Sequence, residues 1–343
     1  MEQVKKETTA YSKDSFQCLK GYLALCVLTH HLYQFTGFLS DTSFGYAFLL
    51  LGHWAVVVFM FMSGFGLFSS YISKGTPYIK SFPRARLLPF YAVYLFFVFI
   101  YTCFEIFNGK KITLSEILHS LTYGGTIVSF GWYLQLTILM YLFFYILKIL
   151  FKNEKAFICA LFLSIFIFMA VNFAISSQKN VYEPAFSFAI GVLFAYLNHL
   201  KPVLFAKRTV FYILVGGASF IGLTLIGTLM VYRCTDLMNS NALIDLLYLI
   251  LMMLTDLALI VFVLSFAVVA SNAFPKFIIN PVSSFLGTYS LEIYALQGLV
   301  LRFLINKISN RAIYVAVAVV CIIVLSVPVH KLLSQLKKAV SGR

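Results

Sequence analysis

The stretch CLKGYLALCVLTHHLYQF, from Cys18 to Phe35, decides how the rest of the chain is read. It is apolar enough for a first membrane helix, yet it holds a lysine at one end and two adjacent histidines near mid-depth. Each residue of an α-helix turns the chain by ~100°, so eleven steps return it to within ~20° of its starting direction. Lys20 and His31 therefore share a face, about 16 Å apart along the axis. Ala24, Val27 and Gln34 lie near the same line, while His30 points away from it. An ionisable group at that depth is costly unless it faces a cavity or a partner, which makes His31 a functional candidate. The plain alternative is a hydrogen-bonded contact between helices. The polar face shared with Lys20 and Gln34 favours function. A neutral imidazole takes a proton near neutral pH, as activation of a hydroxyl for acyl transfer requires. Lys20 at the edge suits an anionic cosubstrate, or serves as a snorkelling charge.

Composition extends this reading to the whole chain. Of 343 residues, 61% are hydrophobic and only 11% charged. No water-soluble domain needs so much apolar surface, and long apolar runs with short polar gaps indicate helices rather than a membrane barrel. The net charge of +14 does not point to nucleic acid, because the lysines and arginines stand between apolar runs, where they set topology. None of the six cysteines forms a CxxC pair, so neither a disulfide framework nor a metal site is expected. The first span lacks a small-residue cleavage pattern and is expected to be retained.

Apolar windows predict an all-α integral membrane protein, a bundle of about ten transmembrane helices in a single domain over 1–343 with no extra soluble domain. The windows fall at about 19–38, 46–72, 87–107, 131–151, 156–176, 184–199, 208–231, 243–270, 284–305 and 312–333. Nineteen of the 26 basic residues lie in loops on the side of the N-terminus, which predicts that both termini are cytoplasmic. The stretch 108–130 is expected outside, as an interfacial helix or lid.

Other polar groups recur within the apolar runs. Arg84 and Arg86 at the mouth of span three oppose the helix dipole and call for an anion, either lipid phosphate or nucleotide phosphate. Ser63, in the Ser-Gly-Phe-Gly that ends span two, marks close helix packing or room for a ligand. Trp132 and Tyr133 open span four, and Glu183 stands at the outer end of span six. Asp256 lies in span eight; Glu292, Tyr294 and Gln297 lie in span nine. Either carboxylate, Asp256 or Glu292, is placed to orient a histidine.

Taken in order, these residues resemble the acyltransferase-3 family of bacterial membrane O-acyltransferases over nearly the whole chain. The marks are a basic residue ten places before a histidine (Lys20, His31), Phe61-Met-Ser-Gly-Phe65, the basic segment Arg84 to Arg86, Trp132-Tyr133-Leu134, and Gly287-Thr-Tyr-Ser-Leu-Glu-Ile-Tyr294. The family often has arginine at Lys20, spaces its paired arginines one residue further apart, and in many members has histidine at Gln297. The resemblance implies transfer of an acyl group, usually acetyl, from cytoplasmic acyl-CoA to a hydroxyl of a cell-surface or exported carbohydrate. It casts His31 as general base or transient acyl carrier, with Lys20 aiding catalysis, and Lys20, Arg84 and Arg86 as holders of the acetyl-CoA phosphates. His30, Gln34, Ser63, Trp132, Tyr133, Glu183, Asp256, Glu292 and Tyr294 are supporting candidates. It also implies a bacterial cytoplasmic membrane, contact with membrane lipid, a carbohydrate or lipid-linked glycan acceptor, and a separate extracytoplasmic transferase as a potential partner. From another class, a proton-coupled permease with His31, Asp256 and Glu292 as its relay fits the same polar residues. The absence of an internal repeat in the sequence weighs against it.

Overall fold

A computed structural model describes residues 13–37, 45–175, 179–200, 209–234, 241–274 and 279–342. Every regular element among them is helical. The helices are α1 (Lys13–Thr36), α2 (Gly45–Lys74), α3 (Thr76–Phe107), α4 (Leu114–Ser120), α5 (Trp132–Leu150), α6 (Glu154–Ile175) and the single turn α7 (Lys179–Tyr182). They continue as α8 (Ala185–Leu200), α9 (Thr209–Cys234), α10 (Ala242–Ala273), α11 (Pro281–Thr288), α12 (Ser290–Leu304) and α13 (Arg311–Ser341). Seven described helices, α2, α3, α5, α6, α9, α10 and α13, are long and apolar enough to cross a membrane. The protein is a multi-pass membrane protein.

The other three expected spans are helical but differ from the seven. Helix α1 has the length, but it carries the lysines, histidines and glutamine that set it apart. Helix α8 has 16 residues, about 24 Å at the helical rise. The expected span 284–305 is divided at Tyr289 into α11 and α12. Of the basic residues used for topology, Lys5, Lys6, Lys201, Lys207, Arg208, Lys276 and Arg343 lie outside the described residues.

Span three also differs from expectation. The structure makes Thr76–Phe107 one continuous rod, with Arg84 and Arg86 in a π-turn at Pro83–Leu87 rather than at a helix start. Proline lacks an N–H and crowds the carbonyl four residues back. A widened turn accommodates it: the Leu88 N–H reaches the Pro83 carbonyl, the five-residue spacing of a π-turn.

The chain divides into two compact units. The first comprises residues up to Leu19, Val56–Ser73 and Asn153–Ser284; the second comprises Lys20–Ala55, Lys74–Lys152 and Phe285–Arg343. In the first unit α2 and α8 cross backbone to backbone. A Cβ on Gly64 would strike the Phe188 carbonyl, and one on Gly191 would strike the Phe61 carbonyl. Glycine at both positions is what permits that approach, so the Ser-Gly-Phe-Gly segment serves packing through Gly64. Ser63 beside it is half-buried in the same unit. Also there, the buried carboxyls of Glu183 and Asp256 stand with oxygens within 4.8 Å of each other.

The second unit holds the Lys20–His31 face of α1 described above. Ala24, Leu28 and Leu32 of α1 pack in one core with Ile293, Val300 and Leu301 of α12 and Tyr314, Ala318 and Ile322 of α13. Aliphatic positions four residues apart line one side of a helix, and that side of α1 is fixed against α12.

Candidate functional site

His31 is buried, 5% exposed, and its Nδ1 lies 2.6 Å from Oε1 of Gln297. The α1–α12 core sets this meeting, since Leu28 and Leu32 bracket His31 in sequence and Ile293 and Val300 bracket Gln297. A glutamine carbonyl oxygen only accepts, so with this amide orientation Nδ1 carries the hydrogen. Nε2 is then left with its lone pair, the form of imidazole that acts as a base. Gln297 itself is fully buried. Gln297 is thus the partner that fixes the orientation of His31.

One face of the His31 ring is covered by Phe130, stacked at 3.6 Å between centroids and 12° between planes. Phe130 has φ +63°, the left-handed region that a side chain disfavours. Several contacts hold it there. The Tyr294 hydroxyl donates to the Phe130 carbonyl, and the Tyr294 ring meets Tyr133 edge-on at 5.3 Å. Ser129 receives Arg302 at 3.3 Å, and Arg302 is ion-paired with buried Glu105. Gly298 lets the loop come close to α12, because a Cβ there would strike Ser129 and the Tyr101 hydroxyl. Tyr101 donates to the Ala295 carbonyl at 3.0 Å, tying α3 to the same turn of α12.

The loop that ends on His31 begins far back along α3. Tyr94 donates to the Ser120 carbonyl, and Gln135 donates to Tyr94 and to the carbonyls of Thr122 and Gly125. Tyr94 stands thirteen residues before Phe107, about 20 Å along the helix. The stretch 108–130, expected at the outer surface, thus folds back beside α3. Helix α4 starts it with a Thr113–Glu116 capping box. The Thr113 backbone N–H and then its hydroxyl hold the Glu116 carboxyl below its usual range. Irregular backbone at membrane depth persists only where it is buried in protein or lines a cavity. Here side-chain donors occupy its carbonyls.

The remaining candidates are placed as follows. Lys20 is half-buried in the second unit, on the His31 face of α1, and Gln34, three residues beyond His31, is exposed. His30 points its Nδ1 to the Phe48 carbonyl at 3.2 Å and packs over Gly52, whose hydrogen makes room for the ring. Trp132 is half-buried and meets Tyr133 edge-on. Glu292 is buried, but its partner is His330 of α13 at 3.0 Å. It lies five residues from Gln297, roughly 140° away around α12. This carboxylate is engaged with His330 rather than with His31, so it gives the permease relay no support. Arg84 and Arg86 are both exposed, and two residues apart on a helix they do not face each other.

Sequence reasoning missed Phe130 and the Glu105–Arg302 pair. Glu105 had a signal, a carboxylate inside an apolar run, which is the rule that singled out Asp256. Phe130 had none, since its role comes from a backbone conformation.

No curated protein and no solved structure matches the chain. The family model described as an acyltransferase domain, acyltransferase-3, matches residues 13–331. That match covers the spans, the Lys20–His31 face and the Gln297 partner alike, and the chain belongs to the acyltransferase-3 family.

Proposed function

We propose that the protein is an O-acyltransferase that moves an acyl group, acetyl in the first instance, from cytoplasmic acyl-CoA to a hydroxyl of a cell-surface or exported carbohydrate. The observation that carries the reading is the buried His31 held through Nδ1 by Gln297, which leaves Nε2 as a base. In the proposed reaction Nε2 takes the proton of the acceptor hydroxyl as its oxygen bonds to the thioester carbonyl carbon. The carbonyl π pair moves onto oxygen. When it returns, the C–S bond breaks and the CoA thiolate leaves, taking the proton from His31. The ester product and free CoA balance the step.

Lys20, Arg84 and Arg86 are proposed to meet the CoA phosphates, as guanidinium and ammonium groups do. Phe130 shields His31 and keeps the base out of bulk water, where an activated thioester would be hydrolysed. The proposed setting is a bacterial cytoplasmic membrane crossed about ten times, with both termini inside. The test is to incubate membranes containing the protein with labelled acetyl-CoA and to extract glycans and lipid-linked sugars. Label in an alkali-labile ester on carbohydrate supports the reading; label that never leaves CoA contradicts it.

A further inference from the structure

Between the middle of α3, the first half of α5 and the loop after α4 lies a cavity of about 320 Å³. Leu87, Leu88, Leu121, Ile138, Leu139 and Leu142 form its aliphatic wall. The polar side chains of Tyr91, Tyr94, Thr122, Tyr123 and Gln135 also border it, and four of them are already engaged with loop carbonyls, Thr122 with that of His119. Tyr91 donates to the Leu121 carbonyl at 3.2 Å, Tyr94 to the Ser120 carbonyl, and Gln135 to Tyr94 and the Thr122 carbonyl. A sugar or nucleotide entering here would lose its hydration and gain few hydrogen bonds in return. A hydrocarbon chain would lose nothing.

The volume falls at the lower end of ligand pockets. At a water-sized ~30 Å³ per group it takes about ten such groups, a segment of one chain rather than two. The cavity's α3 wall begins at Leu87 and Leu88, directly after the π-turn that carries Arg84 and Arg86. Arg84 lies one turn before Leu88, on the stripe that continues through Tyr91 and Tyr94. Both arginines are exposed and make no ion pair among the described residues. An apolar slot with a cation one turn beyond its end has the form of a site for a charged amphiphile.

We infer that this cavity binds the chain of a single-chain lipid phosphate, with its phosphate on Arg84. The cavity stands on its own geometry, but it shares Arg84 with the proposed CoA contacts, so a lipid phosphate and acyl-CoA would compete for that cation and the binding test is run without CoA. It borders the loop 121–131 whose far end covers His31, so an occupant would lie against the segment that closes the candidate base. The same chemistry has two sources: the isoprenoid phosphate anchor of a lipid-linked sugar, or an acyl-chain phospholipid of the membrane.

Purified protein in detergent should be titrated with farnesyl phosphate, farnesol and oleoyl lysophosphatidate, with native mass spectrometry counting bound molecules. Saturable one-to-one binding of a lipid phosphate is expected. Arg84→Gln should weaken the phosphates by roughly tenfold or more, the worth of one charge-assisted hydrogen bond, and leave farnesol unchanged. Leu139→Trp should fill the cavity and reduce binding of all three probes. Tighter binding of farnesyl phosphate than of the lysophosphatidate assigns the isoprenoid anchor; the reverse or equality assigns membrane lipid. Non-saturating binding, or an Arg84→Gln protein that binds the phosphates like wild type, overturns the inference. So does undiminished binding by a Leu139→Trp protein with an unchanged unfolding temperature. Loss of acetyl transfer would bear on neither result, because the readout is binding alone.

Discussion

Replacing Gln297 by leucine isolates the contact on which the proposed chemistry depends. The substitution keeps an apolar side chain of similar bulk in a fully buried position, but it removes the oxygen 2.6 Å from His31 Nδ1. His31 is 5% exposed, so water does not readily replace the lost partner. A buried donor left without an acceptor costs about 1–3 kcal/mol. The imidazole can recover part of that by moving its hydrogen to Nε2, which removes the lone pair the reaction uses. If the full amount appears in the barrier, turnover falls by roughly 5- to 150-fold at 1.36 kcal/mol per decade. Gln297→Glu retains an oxygen for Nδ1 and should lose less than Gln297→Leu. The assay is CoA release at saturating acyl-CoA and acceptor by protein in lipid nanodiscs, with thermal unfolding as the control for folding. Turnover of Gln297→Leu equal to wild type, or of Gln297→Glu as low as Gln297→Leu, would refute the idea that this amide orients the base.

Further substitutions probe the scaffold and the cover. Phe130→Ala should raise CoA release measured without acceptor, because His31 loses the ring stacked at 3.6 Å and water gains access; unchanged background hydrolysis would remove Phe130 from the account. Gly64→Ala should lower the unfolding midpoint at a cost of about 1–3 kcal/mol, since its Cβ meets backbone rather than a movable side chain. Gly66→Ala, with nothing within 4 Å of its Cβ, should leave the midpoint unchanged and serves as the internal comparison. Glu105→Ala leaves Arg302 without its carboxylate. Because the Arg302 side chain is about a third exposed, we expect about 1–3 kcal/mol rather than the larger penalty of a wholly buried pair. A double-mutant cycle with Arg302→Gln should recover part of that loss; strict additivity would show that the pair contributes nothing.

Much of the second unit was legible from the chain itself. Apolar length and charge placement marked most of the helices, because helix burial in lipid is written in composition. The turn of ~100° per residue placed Lys20, Ala24, Val27 and His31 on one line of α1, and the structure buries Ala24, Val27 and His31 there. What composition could not convey was which neighbour each polar group meets. Glu292 and Gln297 stand on the same helix, but only a three-dimensional core decides that Gln297 faces α1 while Glu292 faces His330. The return of 108–131 alongside α3 was hidden for a similar reason. Its polar backbone reads as exterior, and Tyr91, Tyr94, Gln135 and Tyr294, from helices before and after it, satisfy its carbonyls inside. The π-turn at Pro83–Leu87 shows the limit of a local rule: Arg84 and Arg86 were expected at the mouth of span three, and the chain widens one turn there within a continuous helix.

The most direct test of the account is His31→Ala in purified protein, assayed for transfer of labelled acetyl from acetyl-CoA to the glycan acceptor, beside wild type at matched membrane insertion and unfolding temperature. The account predicts that transfer and acceptor-dependent CoA release both fall to background. Transfer persisting at the wild-type rate in the folded variant would contradict it.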